Sequence, residues 1–127
     1  MSEVRRGHHG RFVQPVGVLP AETELFPKPQ GHGYVKVETE ESPLFAKGLS
    51  FWGHEFHYSK LTPAGDLKFG YQIKRGQGIN GKLDGIIYKN LFASYVHLFA
   101  PGVPQWAPAL VKLMRKVKNS RLILAEA

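Results

Sequence analysis

His97 is of a type and in a place that could move a proton, although an isolated histidine there is more often a core or edge residue. It closes the run Ala93-Ser94-Tyr95-Val96-His97-Leu98-Phe99, just before Pro101-Gly102 and a helix-like segment. Imidazole can both accept and donate a proton in neutral water. In α/β proteins, the carboxyl end of a strand entering a helix is where sites are built. Ser94 is no nucleophile for it, because positions i and i+3 on a strand point to opposite faces. No aspartate nearby in the sequence completes a triad, so His97 reads as a base without its partner.

Two other clusters invite chemistry. His54-Glu55-Phe56-His57 has histidines at i and i+3, whereas the zinc-protease motif needs i and i+4 on a helix. On a strand, His54 shares a face with Trp52, Phe56 and Tyr58, and His57 shares the other with Gly53, Glu55 and Ser59. One ion cannot reach both histidines, and a satisfied structural Glu55–His57 pair is the simpler expectation. Gly76-Gln77-Gly78-Ile79-Asn80-Gly81 has the letter pattern of a dinucleotide fingerprint. That fingerprint must open a helix, and here it runs into Lys82-Leu83-Asp84-Gly85-Ile86-Ile87, which is strand-like. A glycine-rich hairpin loop is expected. His8 and His9 lie in a polar stretch that supplies no further ligands in fixed geometry, so no metal site is expected.

The elements that must position these residues are mostly strands. Fourteen glycines and nine prolines in 127 residues argue against a helical bundle and for short strands with many turns. Gly33–Glu40, Leu49–Leu61 and Phe69–Lys74 read as strands. Leu83–Phe99 reads as two, turning around Lys89-Asn90. Val103–Asn119 carries Trp106, Leu110, Leu113, Met114 and Val117 at helical spacing, with Pro104 and Pro108 confined to its start. Residues 1–14 read as a flexible basic opening segment and 15–127 as one domain.

Composition excludes several classes. The chain is 43% hydrophobic and 21% charged, which is globular rather than disordered. No apolar run approaches the roughly 20 residues of a membrane span. No leader pattern opens the chain, and a cytoplasmic location is expected. Cysteine is absent, so this chain carries no disulfide and no thiol nucleophile. Of its seventeen basic residues, Lys112, Arg115, Lys116, Lys118 and Arg121 crowd the C-terminal helix. Without these five, the remaining basic residues nearly balance the ten acids. Their placement suits a solvated helix end better than a phosphate-binding patch, so nucleic acid is not an expected partner.

Three blocks, in order and spacing, resemble a known family. They are Gly53-His54-Glu55-Phe56-His57-Tyr58-Ser59; Arg75 through Gly81 with Asp84-Gly85; and Ala93-Ser94-Tyr95-Val96-His97-Leu98. Together they resemble the C-terminal part of the cobalamin-type glutamine amidotransferase domain of the cobyrinate a,c-diamide synthase family. Val16-Gly17-Val18-Leu19-Pro20 and Gly33-Tyr34-Val35 extend the likeness over Val16 to Phe99. The resemblance implies the C-terminal half of a three-layer α/β class I glutamine amidotransferase-like domain, contributing mostly antiparallel strands and a C-terminal helix. It implies that His97 is the base for a cysteine that attacks glutamine, with Glu55 and His57 in support. It further implies partners: a cysteine-bearing N-terminal half and an ATP-dependent synthetase domain that amidates tetrapyrrole acetates. The complete family enzyme uses ATP and Mg, and no cofactor is expected on this chain. Two departures stand out: the missing cysteine, and Phe99 where the family usually has a second histidine. The resemblance therefore implies a fragment or split subunit, inactive alone. The alternatives are a non-catalytic interaction module, a sirohaem-amidating homologue, and a small basic nucleic-acid-binding domain.

Overall fold

Alternation dictates the sheet. In the computed structural model, strand β4 (Ser50–His57) buries Phe51, Gly53, Glu55 and His57 and exposes Trp52, His54 and Phe56. That two-residue period is the mark of a sheet with one wet face. The structure describes residues 11–13 and 17–126. His8 and His9 lie outside the described residues.

Among the described residues, nine strands, all paired antiparallel, form two sheets. The larger has the order β8-β7-β6-β3-β4-β9. It is built from β3 (Gly31–Thr39), β4, β6 (Lys68–Arg75), β7 (Leu83–Tyr88), β8 (Leu91–Ala93) and β9 (His97–Leu98). The smaller has the order β1-β2-β5, from β1 (Arg11–Val13), β2 (Ala21–Leu25) and β5 (Ser59–Pro63). A helix, α1, runs over Trp106–Glu126. Among the described residues, no helix is long and apolar enough to cross a membrane.

The smaller sheet was not expected. Leu49–Leu61 is two strands rather than one, because the chain leaves the large sheet after His57 and Ser59 starts pairing with Leu25. Arg11–Val13, inside the stretch read as a flexible leader, pairs with β2. The turn at Lys89-Asn90 is as expected, with Lys89 at φ 52°. The helix begins at Trp106 rather than Val103, because Val103 is buried at the end of a 3₁₀ turn and belongs to the core.

That core covers the inner face of the large sheet. Val35, Val37, Phe51, Tyr71 and Ile73 come from strands, while Phe45, Val96 and Val103 close over them from loops. Thr39 pins the covering loop: its hydroxyl donates to Ala46 O at 2.7 Å and accepts from Leu49 N at 2.9 Å. Trp106 anchors the start of α1 against this cluster. Beyond it Leu110, Val111, Met114 and Val117 are exposed.

Gly85 sits where only glycine fits. Its φ is +67°, and a Cβ there would stand 2.9 Å from Phe92 and 3.0 Å from the Tyr71 ring. Gly85→Ala combines backbone strain of about 1–3 kcal/mol with overpacking of similar size. Urea unfolding is expected to show a loss of at least about 2 kcal/mol, and a loss under 0.5 kcal/mol would contradict this packing.

Candidate functional site

The G-x-G loop between β6 and β7 is occupied from within the protein. Gly76 and Gly78 have φ of +121° and +55°, a curl that turns successive backbone N–H groups toward one point, as in an anion-binding nest. The anion is the side chain of Glu55. Gln77 N donates to Glu55 Oε1 at 2.7 Å, and Gly78 N donates to Glu55 Oε2 at 2.9 Å. A phosphate has no place there, and the loop enters β7 rather than a helix. Asn80 finishes the hairpin, its Oδ1 accepting from Lys82 N and Leu83 N.

Glu55 also meets His57. His57 Nε2 lies 3.0 Å from Glu55 Oε2, and its Nδ1 lies 2.8 Å from Ser59 O. A carbonyl only accepts, so Nδ1 carries a proton. A second proton lies between Nε2 and Oε2, whichever atom holds it. Both side chains are buried, at 8% and 2% exposure. Charge-assisted bonds of this kind hold only where every lone pair is met. Among the described residues, no buried side-chain nitrogen or oxygen lacks a partner. Gly31, opposite His57 in the register, makes room for the pair; a Cβ there would collide with His57 Nε2 and the Glu55 carboxyl.

The third block joins through Tyr95 and Asp84. The Tyr95 ring stacks on His57 with centroids 3.8 Å apart and planes at 10°. Its hydroxyl is hydrogen-bonded to Ser59 Oγ at 2.7 Å. Burial raises the Tyr95 hydroxyl above its usual range. Asp84 is fully buried and accepts from Gly85 N at 2.7 Å and Tyr95 N at 3.2 Å. Burial raises its carboxyl above the usual carboxylate range, and the backbone donors offset this only in part. The three similar blocks are thus one buried polar network, with Asp84 and Tyr95 setting the turn that precedes β9.

His97 emerges from that turn on the other side of the sheet. Its backbone packs against Gly53, where a Cβ would stand 2.8 Å from His97 O. Its side chain is exposed and faces its register partner His54, with ring centroids 6.2 Å apart. Glu55 and His57 therefore come together, while His97 is separated from them by the sheet. His54 and His57 are on opposite faces. Among the described residues, no three histidine, aspartate or glutamate side chains converge as a metal site. Sequence reasoning gave Asp84 and Gly31 no organising role; Asp84 entered it only as part of the second similar block, an acid inside an otherwise apolar strand.

These features define a glutamine amidotransferase-type domain by comparison with known proteins. Residues 3–103 match the CobB/CobQ-like glutamine amidotransferase domain, and the chain belongs to that family. The match extends beyond Val16 to Phe99 on both sides. The chain is 44% identical over 109 residues to a cobyrinate a,c-diamide synthase of Magnetococcus marinus, covering 84% of this chain and 23% of that protein. It is 43% identical over 100 residues to the synthase of Methanocaldococcus jannaschii, covering 78% and 23%. Against the synthase of Archaeoglobus fulgidus it is 36% identical over 110 residues, covering 86% and 24%. The chain thus spans about a quarter of the length of these relatives. No solved structure matches it.

Two measurements probe the network. Glu55→Ala leaves His57 and two loop N–H groups without their acceptor, and is expected to cost about 3–5 kcal/mol in denaturant unfolding. Parity with the wild type would mean the carboxylate does not hold the loop. Asp84 has a pH signature. Its raised carboxyl means the folded state keeps that proton to higher pH than the unfolded chain, whose aspartates titrate near 3.9. Its contribution is therefore greatest below about pH 3.9 and declines as pH rises through the raised value. The stability of the wild type relative to Asp84→Asn should fall as pH rises from about 4, by no more than about 1.4 kcal/mol per pH unit. A difference that stays flat with pH would refute it.

Proposed function

We propose that this chain is the base-bearing part of a glutamine-dependent amidotransferase of the cobyrinate a,c-diamide synthase type. The observation that carries the reading is His97. It stands exposed on β9, the last strand of the sheet, just after a turn that the buried Asp84–Tyr95–His57–Glu55 network holds in place. A solvent-facing imidazole on a rigid frame suits a general base, which must accept a proton in a fixed place.

In the proposed reaction, His97 takes the thiol proton of a cysteine supplied from outside this chain. The thiolate attacks the side-chain amide carbon of glutamine, and the C–N bond breaks as His97 returns the proton to the departing nitrogen. Ammonia leaves and a thioester remains, which water hydrolyses to glutamate and free thiol. The ammonia passes to an ATP- and Mg-dependent synthetase portion, which amidates tetrapyrrole acetate groups. Glu55 and His57 do not touch glutamine in this scheme; they hold the frame. ATP and Mg belong to the synthetase portion, and this chain contributes no ligand to either.

The chain alone is expected to release no ammonia from glutamine above background. Adding the cysteine-bearing remainder of a family member should restore glutaminase activity, and His97→Ala should then reduce it by about 10²–10⁴-fold. An unchanged rate in the His97→Ala complex would remove the base assignment.

A further inference from the structure

The outer face of the large sheet is unevenly made. At β6 and the adjoining half of β3 it is polar and self-satisfied: Lys74 pairs with Glu38 at 3.8 Å, and Gln72 donates to Glu40. Toward β9 it becomes aromatic. Tyr34 on β3 is 74% exposed, Trp52 and Phe56 on β4 are each 47% exposed, and Phe99 just after β9 is 66% exposed. His32, His54 and His97 fill the spaces between them, with His32 edge-on to Phe56 at 5.4 Å and His54 edge-on to Tyr34 at 6.1 Å. Single exposed apolar residues are unremarkable, but a contiguous aromatic patch with a polar border marks a binding surface.

The patch ends at an open edge. β9 is the last strand of the sheet order, and among the described residues nothing pairs with its far side. An open edge offers backbone donors and acceptors to an incoming strand. The patch and the edge meet at His97.

We propose that this aromatic face and the β9 edge are the docking surface for the cysteine-bearing portion of the amidotransferase. This rests on the functional reading above and names the surface through which it operates. Three observations select the occupant. The base sits at the meeting point of patch and edge, so whatever brings a nucleophile within hydrogen-bond reach of His97 must cover both. The chain has no cysteine, so a second copy would cover the face without supplying a thiol. The relatives are some four times as long as the matched segment, so the family has the chain needed to cover it. Trp52 is the largest anchor of the patch, braced where it meets the polar half by Lys36 at 5.1 Å and Arg75 at 5.9 Å from its ring. Tryptophan is among the residue types that most often dominate binding.

The probe is the part of the Magnetococcus marinus synthase that this chain does not cover, expressed separately with its nucleophilic cysteine changed to serine. The readout is binding by calorimetry, with no turnover required. The full chain is expected to bind, with hydrogen exchange slowed across residues 96–99. Trp52→Glu and, independently, Tyr34→Lys should each weaken binding at least tenfold. Lys74→Glu, on the polar half of the same face, should change it less than twofold. All three positions are exposed, and unchanged circular dichroism confirms that the variants fold. Equal binding by the aromatic variants and the wild type would overturn the surface. So would a homodimer of the chain alone that the same substitutions dissolve. Binding without glutaminase activity, when the probe carries its cysteine, would leave the surface standing and remove the functional reading instead.

Discussion

The carboxylate of Glu55 is the point on which the rest of the architecture depends. It is removed from water almost completely, a step that costs several kcal/mol for an ion unless its oxygens are met. Here both are met, by two amides of the β6–β7 loop and by the ring of His57. The exchange works in both directions. The loop needs an anion to justify its curled backbone, and Glu55 needs donors to justify its burial. Glycine at 31, 76 and 78 follows from the same constraint, because a side chain at 31 strikes the pair and one at 76 or 78 strikes the strands or the carboxylate itself.

From that point order propagates to the far side of the sheet. His57 is held at both nitrogens, so its ring plane is fixed. Tyr95 stacks on that plane and is tied at its hydroxyl and at its amide. Only Val96 separates Tyr95 from His97, and it is locked into the core. A surface histidine thereby acquires the fixed backbone that catalytic geometry requires, although its own side chain contacts little. The polar network and the exposed histidine occupy opposite faces, and the backbone of one short strand joins them.

How much of this was legible in the sequence differs by feature. Strand geometry alone gave the two faces of β4, placing His54 with Trp52 and Phe56 and His57 with Gly53 and Glu55, although polar and aromatic residues occur on both. The turn at Lys89-Asn90 and the hairpin character of the glycine loop were equally local. The smaller sheet was not legible, because Ala21–Leu25 and Ser59–Pro63 are rich in polar residues and acquire strand geometry only by pairing with each other. The helix start misread for a related reason: Val103 fits a helical period, but the core claims its side chain first. The link between Glu55 and Gly78 spans 23 positions, beyond the reach of any local pattern. The three blocks were recognisable by resemblance before there was a physical reason for their coexistence, and the network supplies that reason.

The placement of charge and aromaticity on the outer face carries the synthesis one step further. A sheet that stood alone would gain solubility from polar residues at its open edge, and edge strands are usually protected by charge, proline or bulges. This molecule does the reverse. Its charged pairs sit on the outer face around β3 and β6, strands flanked by neighbours on both sides, while the open β9 edge carries histidine with Phe99 beside it. The distribution is costly for an isolated chain and sensible for one whose edge is covered when functional. The same logic covers α1, where Trp106 is anchored but Leu110, Met114 and Val117 face solvent. An amphipathic helix takes most of its stability from the surface on which its apolar side rests. Sheet edge and helix stripe thus leave apolar surface uncovered at two places, the first of them beside the exposed histidine whose backbone the buried network fixes.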